Sequence, residues 1–270
     1  MAKLPTNKQL ARTVEAASAR SAMSIRRHRR WIAVNALVEV FHIAARRAII
    51  PGFIVKGGFA LEFRFRNAAR ASRDVDLVVA LSADQIFDAV VEVFRISWSG
   101  FTFAIKGAPE RRDHSYRLQL NAQYQNREWS TFELEIVFAE ITNQDIVPPL
   151  DLAAYGLLTP IGIPCMTIAE QVAQKLHAVS DPREDRPRDL IDIYLCGTRI
   201  PLDNAELREI CVRTFTERGE HAWPPIIEMR AEWQGRLAAL IADSELELTV
   251  DEVMEGVRSL VAELAAPILG

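Results

Sequence analysis

The chain has 270 residues, 49 % of them hydrophobic and 25 % charged, with a net charge of -4; that supplies a sizeable core and excludes an intrinsically disordered protein. No apolar run approaches the roughly 18 residues that a bilayer span needs, and the polar N-terminus lacks a secretory apolar stretch, so the cytoplasm is the expected compartment and no membrane partner is expected. Cys165, Cys196 and Cys211 are odd in number and without CxxC spacing, which excludes a disulfide framework and a thiolate zinc site and leaves three buried small hydrophobes.

The charge is unevenly spread. Residues 1–73 hold 15 Lys and Arg against 3 Asp and Glu, whereas the remainder holds 17 against 33. Arg26, Arg27, His28, Arg29 and Arg30 form the densest basic stretch, which reads either as a footprint for a polyanion or as a solvated helix face.

Helical periodicity runs from about Gln9 to Ile49, broken near Ser21 to Ser24, with Ile32, Leu37, Val40, Phe41 and Ile43 at helical spacing. Pro51-Gly52 stops it. A short strand over Phe53 to Val55 leads into Lys56-Gly57-Gly58. A helix over Phe59 to Arg66 follows, with Leu61 and Phe65 inward. After the polar Asn67 to Arg73 comes a strand over Val75 to Val79, then a helix over Asp84 to Ile96 with Ser82 as its candidate cap. Strands are expected over Phe101 to Ile105, Tyr116 to Tyr124 and Thr131 to Phe138, the last two joined by a polar turn at Gln125 to Glu128.

Pro148-Pro149 opens an irregular stretch, and Pro160 to Met166 reads as short and extended. Helices then follow over Ile168 to Val179, Pro187 to Leu195, Asn204 to Arg218, Pro225 to Ile241 and Val250 to Leu264. The sum is an α+β protein with a mixed sheet of about five strands. Its expected parts are an N-terminal helical arm (1–50), a sheet-containing core (51–159) and a helical C-terminal domain (160–270).

Chemistry concentrates in the core. Asp74 and Asp76 alternate along a strand, so both side chains leave the same side and can reach one ion or a pair of ions. Two adjacent carboxylates are stable together only with a cation between them, which favours Mg²⁺ or Mn²⁺. Gly57-Gly58 stands between a strand and a helix, where missing Cβ atoms let backbone N–H groups approach a phosphate, and Lys56 can assist. A third carboxylate is expected from the strand over Thr131 to Phe138. There Glu133 and Glu135 share a face opposite Phe132, Leu134 and Ile136; Glu135, nested in the most apolar run, is preferred.

In the helical half, Lys175 sits beside the stripe of Val172, Leu176 and Val179. It reads either as a phosphate-binding point charge or as part of a solvated face. Asp189 and Asp192 lie three apart on the next helix. Asp189 suits the helix N-terminus and could also orient Lys175 or Arg188 towards phosphate. His177 reads as a helix residue with local hydrogen bonds.

Five segments in this order resemble the AbiEii/AbiGii-type nucleotidyltransferase toxin family of type IV toxin–antitoxin and abortive-infection systems. They are Lys56-Gly57-Gly58-Phe59-Ala60-Leu61; Arg70-x-Ser72-x-Asp74-Val75-Asp76-Leu77; Leu134-Glu135-Ile136; Glu170-x-x-x-x-Lys175-Leu176-His177-Ala178; and Arg188-Asp189-Leu190-x-Asp192. The resemblance implies a polymerase-β-like nucleotidyltransferase fold with a helical C-terminal part. It also implies that Gly57, Gly58 and Ser72 line the triphosphate, that Asp74 and Asp76 bind metal, and that Lys175 and Asp189 complete the active site. A nucleoside triphosphate (NTP) substrate, an RNA acceptor such as tRNA and a neighbouring antitoxin follow from the same likeness. The chain departs from the usual motif in having Gly-Gly for Gly-Ser and Glu for the third Asp. Two other readings stay open: transfer to a protein or small molecule, and an inactive NTP-binding module.

Overall fold

The computed structural model describes residues 3–21, 23–141, 143–242 and 246–266. It divides into two compact units, Met1–Arg64 with Ala71–Met166, and Phe65–Arg70 with Thr167–Gly270. The chain therefore enters the second unit once for a six-residue segment, returns, and enters it again for good.

Unit 1 opens with α1 (Asn7–Ala19) and α2 (Ile25–Arg46). Each starts at a hydroxyl cap: Thr6 accepts from the Gln9 N–H and Ser24 from the Arg27 N–H, satisfying backbone donors that have no partner within the helix. The break expected near Ser21 to Ser24 falls between them, and Ala22 lies outside the described residues.

α2 is not a one-sided helix. Every residue from Arg30 to Phe41 is buried, so it runs through the middle of unit 1. Its polar Asn35 is satisfied on both ends, donating to the Trp31 carbonyl at 2.8 Å and accepting from the Leu150 N–H at 3.0 Å. This burial places α1 and α2 in the same compact unit as the sheet, not apart from it as an arm.

Among the described residues the sheet has seven strands, in the order β3-β4-β5-β2-β1-β7-β6. They are β1 (Phe53–Lys56), β2 (Asp74–Val79), β3 (Phe101–Arg111), β4 (Ser115–Tyr124), β5 (Arg127–Phe138), β6 (Asp145–Val147) and β7 (Ile163–Cys165). It is mixed, as expected: β2 runs antiparallel to β1 and parallel to β5, while β4 runs antiparallel to both of its neighbours. The two strands beyond the expected five are the three-residue β6 and β7. The second of these lies within the extended Pro160 to Met166 segment.

The β4–β5 turn is tighter than Gln125 to Glu128. Gln125 and Asn126 both take positive φ, 49° and 61°, the conformation that a two-residue hairpin demands.

Two helices connect strands in this unit, α3 (Gly57–Phe65) and α4 (Ile86–Val93). Phe59 and Phe63, one turn apart, pack ring to ring at 5.8 Å in the core, and Leu61 is buried too. Phe65, expected to point inward, is only partly buried. α4 is shorter than expected and begins after Gln85, with no side-chain cap; Ser82 contributes its carbonyl to the preceding turn and is not the cap.

Unit 2 is helical: α5 (Ile168–Ser180), α6 (Pro187–Arg199), α7 (Asn204–Arg218), α8 (Trp233–Ala242) and α9 (Val250–Ala265). The helix expected over Pro225 to Ile241 starts eight residues late. Pro224 and Pro225 lack N–H donors, and residues 225–230 form no regular element. No helix among the described residues is long and apolar enough to cross a membrane.

Candidate functional site

β2 divides its residues between two faces. Val75, Leu77 and Val79 enter the main core with 1 % exposure or less, so Asp74, Asp76 and Val78 emerge on the other side. There Val78 packs with Ile54 and Met166 in a small apolar cluster, while the two acids lie half-buried at the beginning of the strand.

Pairing register decides what stands beside them. Asp74 is opposite Glu133, which is opposite Gln119; Asp76 is flanked by Lys56 on β1 and Glu135 on β5, with Arg117 beyond. Opposed residues share a face with Cβ atoms about 5 Å apart, so one face carries four carboxylates and the cations Lys56 and Arg117. The register sets Glu133 beside Asp74 and Glu135 beside Asp76, and Phe132, Leu134 and Ile136 are buried on the opposite face, as their alternation predicts.

The outer acids are held by protein groups. Ser115 Oγ donates to Glu135 Oε1 at 2.7 Å, and Arg117 pairs with Glu133 at 3.1 Å and with Glu135 at 3.5 Å. Among the described residues no three His, Cys, Asp or Glu side chains converge as a metal-holding group. The partly buried Asp74 and Asp76 do fit a hard divalent cation of the magnesium kind, which is held by one or two carboxylates and completes its shell with water and substrate phosphate.

Gly57 sits where the strand β1 turns into α3, at φ +64°, a conformation that side chains with a Cβ adopt at a cost. A Cβ there would also run into the Asp76 carboxylate, whose Cγ would lie 3.1 Å away. The glycine thus lets Asp76 rest directly against the first turn of α3, whose partial positive charge favours an anion. Gly58 is buried in that same turn, and Lys56 precedes it half-buried.

Ser72 Oγ lies 3.2 Å from both Oδ1 and the carbonyl oxygen of Asp74. Its backbone is gripped from two helices, since Arg30 donates to its carbonyl and its N–H donates to Glu62. Glu62 also accepts from Arg27 Nε at 3.1 Å and from the Trp31 indole. Burial pushes the Glu62 carboxyl above its ordinary range, against the opposing pull of Arg27, the Ser72 N–H and Trp31.

These contacts correct the reading of the basic stretch as a polyanion footprint. Arg27 and Arg30 are used inside unit 1, and Arg29 stacks on Trp129 at 4.9 Å; of the four arginines only Arg26 is exposed. Glu62 and Arg30 were not singled out from sequence as site residues. The available signal was an acid set among Phe59, Ala60, Leu61 and Phe63.

In unit 2, Lys175 is neither solvated nor alone. Its Nζ lies 2.6 Å from Asp189 and 2.7 Å from Asp192, and Arg70 reaches Asp192 at 2.7 Å. Burial draws the Lys175 ammonium's pKa down, but the two carboxylates more than offset this and hold it above its ordinary value. For Asp192, burial opposes ionisation, yet Arg70 and Lys175 win and its pKa is lowered. Two cations and two anions therefore balance in one cluster of α5, α6 and the 65–70 segment. Arg188 lies half-buried on α6 next to Asp189.

His177 is buried, with its ring 4.5 Å from His221 and 4.9 Å from Phe215, in keeping with a packed helix residue. The three cysteines are buried and free, and burial pushes the Cys165 and Cys211 thiols up to about 12.

The family model for "Nucleotidyl transferase AbiEii toxin, Type IV TA system" matches residues 41–258, which takes in β1 to β7, α3 to α8 and the first half of α9. The chain belongs to the AbiEii nucleotidyltransferase toxin family. As an AbiEii protein it is a nucleotidyltransferase of the toxin class, and its α+β fold is the polymerase-β-like one of that family.

Among solved structures, MenT4, a nucleotidyltransferase toxin from Mycobacterium tuberculosis H37Rv, is similar over 97 % of this chain and 98 % of its own, at 19 % identity and TM-score 0.57; that likeness speaks to the fold. JHP933 from Helicobacter pylori matches 86 % of this chain and 90 % of its own at 17 % identity and TM-score 0.45. The antibiotic-resistance factor ANT(2'')-Ia matches 68 % of this chain and 91 % of its own at 13 % identity and TM-score 0.40. No curated protein matches the chain.

Proposed function

We propose that this AbiEii protein transfers a nucleotidyl group from an NTP to an RNA acceptor in the cytoplasm, with tRNA the first acceptor to test, and that it acts as the toxin beside a neighbouring antitoxin. The observation that carries the chemistry is the Asp74–Asp76 pair on one strand face, with Asp76 lodged against the glycine at the start of α3. The RNA acceptor and the antitoxin rest on the family likeness, because the basic stretch of α2 is spent on internal contacts.

Asp74 and Asp76 would hold Mg²⁺ or Mn²⁺, with Glu135 as the third carboxylate of the row. Bound there, the ion would neutralise triphosphate charge as a Lewis acid. The rest falls to the chain. Gly57, Gly58 and Lys56 receive phosphate oxygens at the α3 N-terminus, and Ser72 lends its hydroxyl. Glu135, steadied by Ser115 and Arg117, orients the acceptor hydroxyl. That hydroxyl gives up its proton to water as its oxygen bonds to the α-phosphorus, the bond from the α-phosphorus to the bridging oxygen breaks, and pyrophosphate leaves with the electron pair.

On the family likeness alone, Lys175, Asp189 and Arg188 are assigned to phosphate handling. A phosphate drawing on Lys175 competes with Asp189 and Asp192 for the same ammonium.

The test is incubation with each α-labelled NTP, total tRNA and Mg²⁺. Labelled RNA is expected from the wild type, and none from Asp74→Asn. Equal labelling by the two proteins refutes the assignment, and label on protein instead of RNA moves the acceptor to another class.

A further inference from the structure

Asp74 stands at the very beginning of β2, and the ladder holds it from one side only. Its partner on β5 is Glu133, but on the other side pairing with β1 ends at Lys56 opposite Asp76. Strand ends with a single neighbour fray. An acid that must present its oxygens in a fixed direction needs some other support there.

The support visible in unit 1 is the grip on Ser72. A buried carboxylate costs several kcal/mol unless it is hydrogen-bonded. Glu62, 1 % exposed, is bonded by Arg27 and Trp31 from α2 and by the Ser72 N–H. Arg30, 7 % exposed, takes the carbonyl of the same residue. With both its peptide groups fixed, Ser72 can move little, and its hydroxyl stands at 3.2 Å from Asp74 Oδ1. The path runs from the first two turns of α2, through Glu62 of α3 and Ser72, to the first carboxylate of the pair.

We infer that Glu62 and Arg30 are positioning residues for nucleotidyl transfer: they hold Ser72 from opposite sides and so set the direction of the Asp74 carboxylate. This rests on the assignment of Asp74 and Asp76 as the metal-holding pair. Neither residue touches substrate in this scheme. Their effect passes through Ser72, as partners behind a metal ligand typically act, with losses of about 10- to 100-fold in metal affinity when they are changed.

The experiment is Mn²⁺ binding followed by electron paramagnetic resonance without nucleotide, on wild type, Asp74→Asn, Glu62→Gln and Ser72→Ala, with folding checked by circular dichroism at the same temperature. Glu62→Gln keeps the shape of the side chain but turns an amide NH₂ towards donors. The expected result is Mn²⁺ binding about 10-fold weaker in Glu62→Gln and lost in Asp74→Asn. Transfer activity of Glu62→Gln should recover as Mn²⁺ is raised, which a general loss of fold would not allow.

Wild-type Mn²⁺ affinity in a folded Glu62→Gln, with loss in Asp74→Asn, overturns the positioning role alone. Wild-type affinity in Asp74→Asn overturns the metal pair itself. Should Glu62→Gln fail to fold, Ser72→Ala decides, since it removes only a hydroxyl: weaker binding supports the path through Ser72 and unchanged binding refutes it.

Discussion

Replacing Lys175 by Met tests the charge cluster of unit 2. The wild-type cluster is neutral, with Lys175 and Arg70 against Asp189 and Asp192, and the two acid side chains are only 5 % and 2 % exposed. Met fills a similar volume without charge, leaving two buried carboxylates on one guanidinium. Removing one partner of a buried pair costs about 3–5 kcal/mol, because the remaining charge cannot regain its water. At roughly 2–4 °C per kcal/mol for a chain of this size, the melting temperature should fall by about 10 °C.

The double variant Lys175→Met, Asp189→Asn restores neutrality and keeps the Arg70–Asp192 pair at 2.7 Å, so about half of the loss should return. The pH dependence has a defined sign. The lowered pKa of Asp192 gives a contribution present above the unfolded value of about 3.9 and lost as pH falls through the folded value. The raised pKa of Lys175 gives one present below about 10.4 and lost as pH rises through its folded value. The gap in melting temperature between wild type and Lys175→Met should therefore be flat around neutrality and close in acid. A Lys175→Met protein melting within about 2 °C of wild type refutes the reasoning, as does a double variant showing the sum of two losses.

Gly57→Ala should fold with a penalty of about 1–2 kcal/mol for its positive φ, and by displacing Asp76 it should cut transfer at least about 10-fold in a single-turnover assay. Arg26→Glu, on an exposed residue, should shift stability by about 0.5 kcal/mol or less, whereas Arg30→Glu should prevent a cooperative thermal transition; equal melting curves would contradict the internal use of Arg30. Cys165 and Cys211, with thiols pushed up to about 12, should resist iodoacetamide at pH 8 until denaturant is added, as read by mass spectrometry.

What the sequence showed and what it hid separate along the distinction between local and distant contacts. Alternation within β2 and β5 needs only neighbours in the chain, so the shared faces of Asp74 with Asp76 and of Glu133 with Glu135 were legible. β6 and β7 are three residues each, too short for any period to show. α2 looked amphipathic, but it lies in the core, where both sides are covered. Its arginines looked like surface charge because their partners lie far along the chain. Glu62 is 35 residues beyond Arg27, and Ser72 is 42 beyond Arg30. The pairing of Lys175 with Asp189 is legible as one option because the two are 14 residues apart, while nothing local ties Arg70 to Asp192, 122 residues further on.

The brief excursion of residues 65–70 has an outcome for biosynthesis. As the nascent polypeptide leaves the ribosome, Arg70 emerges long before Asp192 exists, so its guanidinium waits for more than a hundred residues to be added. Cleavage after Met166 would part Arg70 from Asp192 and leave the C-terminal fragment without one of the cluster's four charges. The C-terminal fragment should therefore melt at a lower temperature than the same segment does in the intact chain.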